Sequence, residues 1–284
     1  MGGIKSDYRC FFCFTKAYER LLKKEDLTPE QKSEFVQKMV QRYQEVQHDF
    51  SAPSYSRDLR NIFQTYSSSQ DLYKEEKKVS NDLALRLYPD LKQLVLDSEK
   101  PLETALRLAL AGNVIDFGVH AEYDLEHTIK SVLNTPLAID NMAELFKRIS
   151  RADTILYLGD NSGEIVLDKL FIETINHPNV YFAVRGAPVL NDVTVFDAKY
   201  VGIDSVAHVI SNGGDVPSTV LDLAPPDFVE LFERADLIIS KGQGNLEGLI
   251  DTAIDKIFFL SMIKCDVVAD AVGVPKGSFV VMKQ

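Results

Sequence analysis

Cysteine is scarce in this chain, with three residues in 284. So small and odd a number cannot build a disulfide framework, which points to a reducing compartment. Basic residues are outnumbered, 31 Lys and Arg against 42 Asp and Glu, for a net charge of −11. That deficit argues against a nucleic-acid backbone as the main partner. Anionic small molecules stay open, because a metal ion or a few local cations can reverse the field at a site. No apolar run approaches the roughly 20 residues that span a bilayer, so no membrane partner is expected. The opening MGGIKSDYRCFFCF lacks the long apolar core of a signal peptide. These absences together lead us to expect a cytoplasmic protein. The histidines at 48, 120, 127, 177 and 208 are scattered and form no metal-spacing motif.

What is present is enough for a real core. Hydrophobic residues make up 45% of the chain and charged residues 26%, a composition unlike that of a disordered segment. The length fits one large domain or two smaller ones. The first half reads as helices. Thr28-Pro29-Glu30-Gln31 supplies a cap, a proline at the first helical position and a capping-box glutamine. Phe35, Met39, Tyr43 and Val46 follow on one helical face. Residues 67–82 are polar and read as surface, the stretch from Asp82 to Leu96 as a helix broken at Pro89, and Leu102 to Leu110 as an apolar helix.

Near residue 150 the pattern changes. Thr154–Leu158, Val180–Val184, Val206–Ile210, Leu237–Ser240, Ile257–Leu260 and Phe279–Met282 read as strands alternating with helices. Such alternation implies βαβ units and a mostly parallel sheet. The expected architecture is α/β: a helical domain over residues 1–148, then a Rossmann-like α/β/α domain over 149–284.

Ligands of an open parallel sheet bind beyond the carboxyl ends of its strands. The first of these strands runs into Gly159-Asp160-Asn161, the next into Arg185 and then Asn191-Asp192, and a later one into Lys241-Gly242-Gln243-Gly244-Asn245. Acids and amides side by side suit a hard divalent cation. Cations and close backbone suit the charge of a phosphoryl group. Each piece also has a plain explanation: Asp160-Asn161 as a helix cap, Asn191-Asp192 as a turn, Arg185 as a surface residue. In the helical half, Gly112 breaks an apolar helix just before Asn113 and Asp116. Those two residues either face the sheet crevice or form an ordinary helix end. Cys10-Phe11-Phe12-Cys13 stands alone, with Cys265 as a distant third cysteine, and reads as buried structural cysteine.

Four segments taken in order, GNVID at 112–116, GDNSGE at 159–164, RGAPVLNDVT at 185–194 and KGQGNLE at 241–247, resemble the damage-control phosphatase family. It is also called ARMT-like and was long known as domain of unknown function 89. The CFFC at 10–13 resembles the cysteine pair of its stand-alone, mostly prokaryotic branch. The resemblance implies a divalent metal (Mn²⁺, Mg²⁺, Co²⁺ or Ni²⁺) held by Asp160, Asn161 and Asp192. It implies Lys241 on the substrate phosphate and Asn113 and Asp116 near the substrate. Asp160, Asp192 and Lys241 are then the expected catalytic residues. Arg185, Gly242, Gly244 and Asn245 complete the expected substrate contacts.

The expected activity is metal-dependent hydrolysis of a small phosphorylated metabolite, whether a sugar phosphate or a damaged or surplus phosphometabolite. A haloacid-dehalogenase phosphatase is disfavoured, since Ser162 stands where its second aspartate belongs. Two other readings are an adenosylmethionine-dependent methyltransferase on the same core and a non-catalytic metal- or metabolite-binding protein. The glycine-poor loop at Gly159 and Gly163 weighs against the methyltransferase. Neither the physiological substrate nor the oligomeric state is legible.

Overall fold

A computed structural model describes residues 7–48, 50–67, 69–112, 125–252 and 254–284. Six helices come first: α1 (Tyr8–Lys24), α2 (Pro29–Val46), α3 (Ala52–Gln64), α4 (Lys74–Leu96), α5 (Pro101–Gly112) and α6 (Leu125–Asn134). There follow β1 (Ile139–Asp140), α7 (Met142–Ile149), β2 (Ile155–Leu158), α8 (Glu164–Ile175), β3 (Val180–Val184), α9 (Val195–Tyr200) and β4 (His208–Ser211). The chain ends with α10 (Pro226–Arg234), β5 (Leu237–Lys241), α11 (Gly242–Leu249), β6 (Ile257–Met262), α12 (Asp266–Val272) and β7 (Phe279–Lys283).

The sheet order is β1-β7-β6-β5-β2-β3-β4. Strands β2 to β6 run parallel, whereas β7 pairs antiparallel with β6 and parallel with β1. The short β1 joins the sheet from ahead of residue 149. The β4 strand begins two residues later than its apolar run implies.

Both faces of the sheet are covered, so its central strands are apolar throughout rather than alternating. Along β2, Ile155 and Tyr157 enter one core with α4, α5 and α8, while Leu156 and Leu158 enter the other with α10, α11 and α12. A third, aromatic core joins α1, α2 and α3 through Tyr18, Phe35, Tyr55 and Phe63. The capping box at Thr28 forms as its sequence predicts, with Gln31 N donating to Thr28 Oγ1 and Thr28 N to Gln31 Oε1.

Two local expectations change. Helix α4 runs unbroken through Pro89. An internal proline costs a helix about 3 kcal/mol, and Leu83, Ala84, Leu91 and Val95, buried on both sides of it, outweigh that cost. The polar stretch 67–82 is not all surface. Lys77 and Asn81 turn inward and are nearly inaccessible, because partners wait for them on the sheet side.

Strand order reverses beside β2: β3 and β4 lie on one side of it, β5 on the other. The crevice at such a switch point opens at the carboxyl ends of β2 and β5. Gly159-Asp160-Asn161 and Lys241-Gly242 therefore meet there.

Candidate active site

Two loops supply the oxygen donors, and their backbones are zipped together. Ser162 N donates to Asn191 O (2.9 Å) and Val193 N to Asp160 O (2.9 Å). These bonds make Asn161 and Asp192 an antiparallel bridge pair. In this pattern the opposed residues are the non-hydrogen-bonded kind, with Cα atoms only about 4.5 Å apart and side chains close. Asp192 lies 31 residues beyond Asn161 in the chain, yet ordinary β-pairing brings the three expected metal donors together.

Burial and bonding fix the rest. Asp160 and Asp192 are both buried. Arg185, 2% exposed, donates Nε to Asp192 Oδ2 at 2.6 Å and Nη1 to Asn245 Oδ1 at 3.0 Å. Its Nη2 lies 3.7 Å from Asp160 Oδ1. Arg185 is therefore an internal cation of the site, not a surface residue. Asn161 Nδ2 donates to Asp160 Oδ2 (2.7 Å) and Glu164 Oε2 (3.3 Å).

Gly242 has φ +77°, and a Cβ there would lie 1.8 Å from Asp160 Oδ2. Only glycine permits both that dihedral and that approach.

Four buried carboxylates, Asp160, Glu164, Asp168 and Asp192, face two buried cations, Arg185 and Lys241. The imbalance shows in their proton affinities. Burial, then the charges of Glu164 and Asp192, push Asp160 up to about 8. Asp192 is raised as well, burial outweighing Arg185 beside it. Burial pushes Asp168 up to about 6, with Lys241 pulling the other way. For Lys241, burial lowers proton affinity, but Asp168 and Glu164 outweigh it and raise the ammonium above the ordinary lysine range.

Lys241 is bound within the protein. Its ammonium is fully buried and sits 2.6 Å from Glu164 Oε1, 2.5 Å from Asp168 Oδ1 and 2.9 Å from Ala109 O. An ammonium has three donors, and here each has an acceptor inside the protein. The cause is α8, which presents Glu164 and Asp168 one turn apart to the end of β5.

Asn245 is likewise committed to the scaffold. It donates to Gly159 O and Lys241 O and accepts from Arg185 and Thr219. A Cβ on Gly244 would meet Pro217 O at 2.2 Å, so that glycine serves backbone packing. Asn113 and Asp116 lie outside the described residues.

The helical half pins these loops with polar side chains that the sequence did not single out. Asn81 Oδ1 accepts from Gly163 N at 2.7 Å. Lys77 Nζ reaches Asp197 Oδ2 at 3.0 Å, and Arg60 donates to Pro188 O at 2.6 Å. Only Glu164 and Asp168 left a sequence signal: two acids four apart on the otherwise apolar, wholly buried start of α8.

The cysteines bear less on the site. All three are free, with Cys10 and Cys265 half-buried and Cys13 exposed. Cys13 therefore corrects the expectation of a buried pair, because it faces outward from α1.

A sequence profile of the ARMT1-like damage-control phosphatase domain matches residues 6–280. The chain belongs to that family. It is 40% identical to the damage-control phosphatase PH1575 of Pyrococcus horikoshii over 223 residues, 77% of this chain and 76% of that one. It is 32% identical to a damage-control phosphatase of Archaeoglobus fulgidus over 217 residues, covering 74% and 75%. The crystal structure of the Pyrococcus horikoshii protein, described as a DUF89 family protein, superposes with a TM-score of 0.88 at 32% identity, covering 98% and 99% of the two chains. The family is one of phosphatases, so the chain is a hydrolase of phosphate esters. No helix among the described residues is long and apolar enough to cross a membrane.

Proposed function

We propose that this damage-control phosphatase depends on a divalent metal held by Asp160, Asn161 and Asp192. The observation that carries the reading is the bridge pair. It sets a carboxylate and an amide side by side, with Asp160 adjacent, at the switch point of the sheet. The donor chemistry fits. Carboxylate and amide oxygens suit Mg²⁺, Mn²⁺ and related hard or borderline cations. A divalent ion would also offset the surplus of buried negative charge that raises Asp160. Among the described residues no three His, Cys, Asp or Glu side chains converge as a cage.

When bound, the metal would polarise the phosphoryl group and neutralise its charge. The chain's own residues do the remainder. Asp160 and Asp192 would hold the ion, and Arg185 would keep Asp192 in place. The backbone at Gly242 lets Asp160 approach closely. Asn113 and Asp116, which follow directly on α5, would contact the substrate, as the family resemblance implies. Lys241 would act by fixing α5 and α8 rather than by touching phosphate.

The substrate we infer is a small phosphorylated metabolite, damaged or surplus, handled in a reducing cytoplasm. Residues 1–148 would form the helical domain and 149–284 the metal-binding one. The Cys10–Cys13 pair supports assignment to the stand-alone branch.

Phosphate release from a panel of sugar and cofactor phosphates, with and without Mn²⁺, Mg²⁺, Co²⁺ or Ni²⁺, tests the proposal. Release should require a metal and fail in Asp160→Ala and Asp192→Ala. Metal-independent release, or full activity in either variant, would overturn it.

A further inference from the structure

We propose that Glu164, held in place by Lys241, is a positioning residue that turns the Asn161 amide so that its oxygen faces the metal site. The inference rests on the metal reading above. A side-chain amide has a donor end and an acceptor end, and only its oxygen can ligate a hard cation. Asn161 Nδ2 lies 2.7 Å from Asp160 Oδ2 and 3.3 Å from Glu164 Oε2. Ionised carboxylates only accept hydrogen bonds. With the ion bound and both carboxylates ionised, the flipped amide would set its oxygen against two carboxylate oxygens, so the nitrogen lies on this side and the oxygen on the other.

Asp160 alone is a poor keeper of that orientation, because it is itself committed to the ion. Glu164 is the acceptor that remains, and it has little freedom to leave. Its other oxygen is 2.6 Å from Lys241 Nζ. The residue is 1% exposed, and α5 packs directly over it: a Cβ on Gly112 would lie 3.1 Å from Glu164 Cγ. Lys241 in turn is fixed by Asp168 and Ala109 O. Partners of this kind, one shell out from a ligand, orient it and typically change metal affinity 10- to 100-fold when removed.

The test is calorimetric titration of the full chain with Mn²⁺ alone. Glutamine has one carbonyl oxygen where Glu164 has two acceptors, so Glu164→Gln cannot serve both Lys241 and Asn161. We expect Mn²⁺ binding weakened about 10-fold or more, with the circular dichroism spectrum unchanged. Tyr157→Phe, which removes a 2.7 Å bond to Asp168 on the far side of Lys241, should leave Mn²⁺ affinity within about 2-fold. A double-mutant cycle separates positioning from direct ligation. If Glu164 acts through Asn161, Glu164→Gln adds nothing to the loss already caused by Asn161→Ala. Additive losses make Glu164 a ligand in its own right and overturn the proposal. Unchanged affinity in Glu164→Gln also overturns it, provided Asp160→Ala abolishes binding. If Asp160→Ala binds normally, the metal reading itself has failed. The unmodified chain gives a further check should Glu164→Gln not fold. In Mg²⁺-loaded protein the Asn161 side-chain amide protons, identified by their loss in Asn161→Ala, should exchange slowly with water. Exchange as fast as that of exposed asparagines would refute the orientation.

Discussion

Replacing Gly242 with alanine separates backbone strain from damage to the site, because the fold supplies its own control. Gly242 has φ +77° and Gly273 has φ +79°. A Cβ on Gly273 would meet nothing within 4 Å, whereas one on Gly242 would lie 1.8 Å from Asp160 Oδ2 and 2.3 Å from its Cγ. Both substitutions incur the left-handed penalty of about 1–2 kcal/mol. Both recover about 0.4–1 kcal/mol by restricting the unfolded chain. The shared net cost is then about 1 kcal/mol.

Only Gly242→Ala must also push the Asp160 carboxylate aside by more than about 1 Å, and a displacement of that size at a reacting centre costs on the order of 10²-fold in rate. Urea denaturation of the two variants should show a similar loss in Gly273→Ala and an equal or larger one in Gly242→Ala. Mn²⁺ titration and phosphate release should be near normal in Gly273→Ala. In Gly242→Ala turnover should fall on the order of 10²-fold, with weaker metal binding. If Gly242→Ala matches Gly273→Ala in affinity and rate, the close approach of Asp160 to the β5–α11 turn has no functional weight.

Three further outcomes follow from the same geometry. Asp160 has a folded-state value near 8, above the roughly 3.9 of an unfolded aspartate. The native metal-free protein thus keeps a proton that the unfolded chain has released, and its stability should fall as pH rises from about 4 to about 8. Asp160→Asn should flatten that slope in thermal melts, and an unchanged slope would contradict the burial of this charge. At 100 times its dissociation constant, Mn²⁺ should stabilise the folded protein by about 2.7 kcal/mol, and Asp192→Ala should show a smaller gain or none by differential scanning calorimetry. Asn81→Ala leaves the buried Gly163 N–H without its acceptor. It should cost about 1–3 kcal/mol in denaturant unfolding and loosen hydrogen exchange in residues 160–164.

The sheet was legible because a doubly covered parallel sheet writes itself as continuous apolar runs, and Ile155–Leu158 or Leu237–Lys241 can hardly be anything else. The loops that follow them were legible by position, since strand ends converge. The charge state of the site was harder to read. Lys241 beside two glycines has the same local sequence whether it faces a ligand or two carboxylates. What decides it is α8, whose Glu164 and Asp168 begin 77 residues earlier in the chain. The strand at Phe279–Met282 was legible, but not its antiparallel pairing with β6, because strand direction is not written in a strand. The pins from α3 and α4 escaped for a related reason: a polar residue turned inward reads the same as one turned out.

Glu164 and Asp168 also bear on why this part of the fold is polar at all. A buried ion cluster is weak support for stability, since desolvation offsets much of the attraction. Here the cluster joins three elements that the site needs in register. Lys241 ends β5 just before the Gly242 turn, Glu164 begins α8 just after the Asp160-Asn161 loop, and Ala109 lies in the last turn of α5 before Asn113. An apolar core at this point would pack as well but would specify none of those three ends. Directional bonds from one ammonium do specify them. Removing the ammonium should therefore disturb all three ends at once.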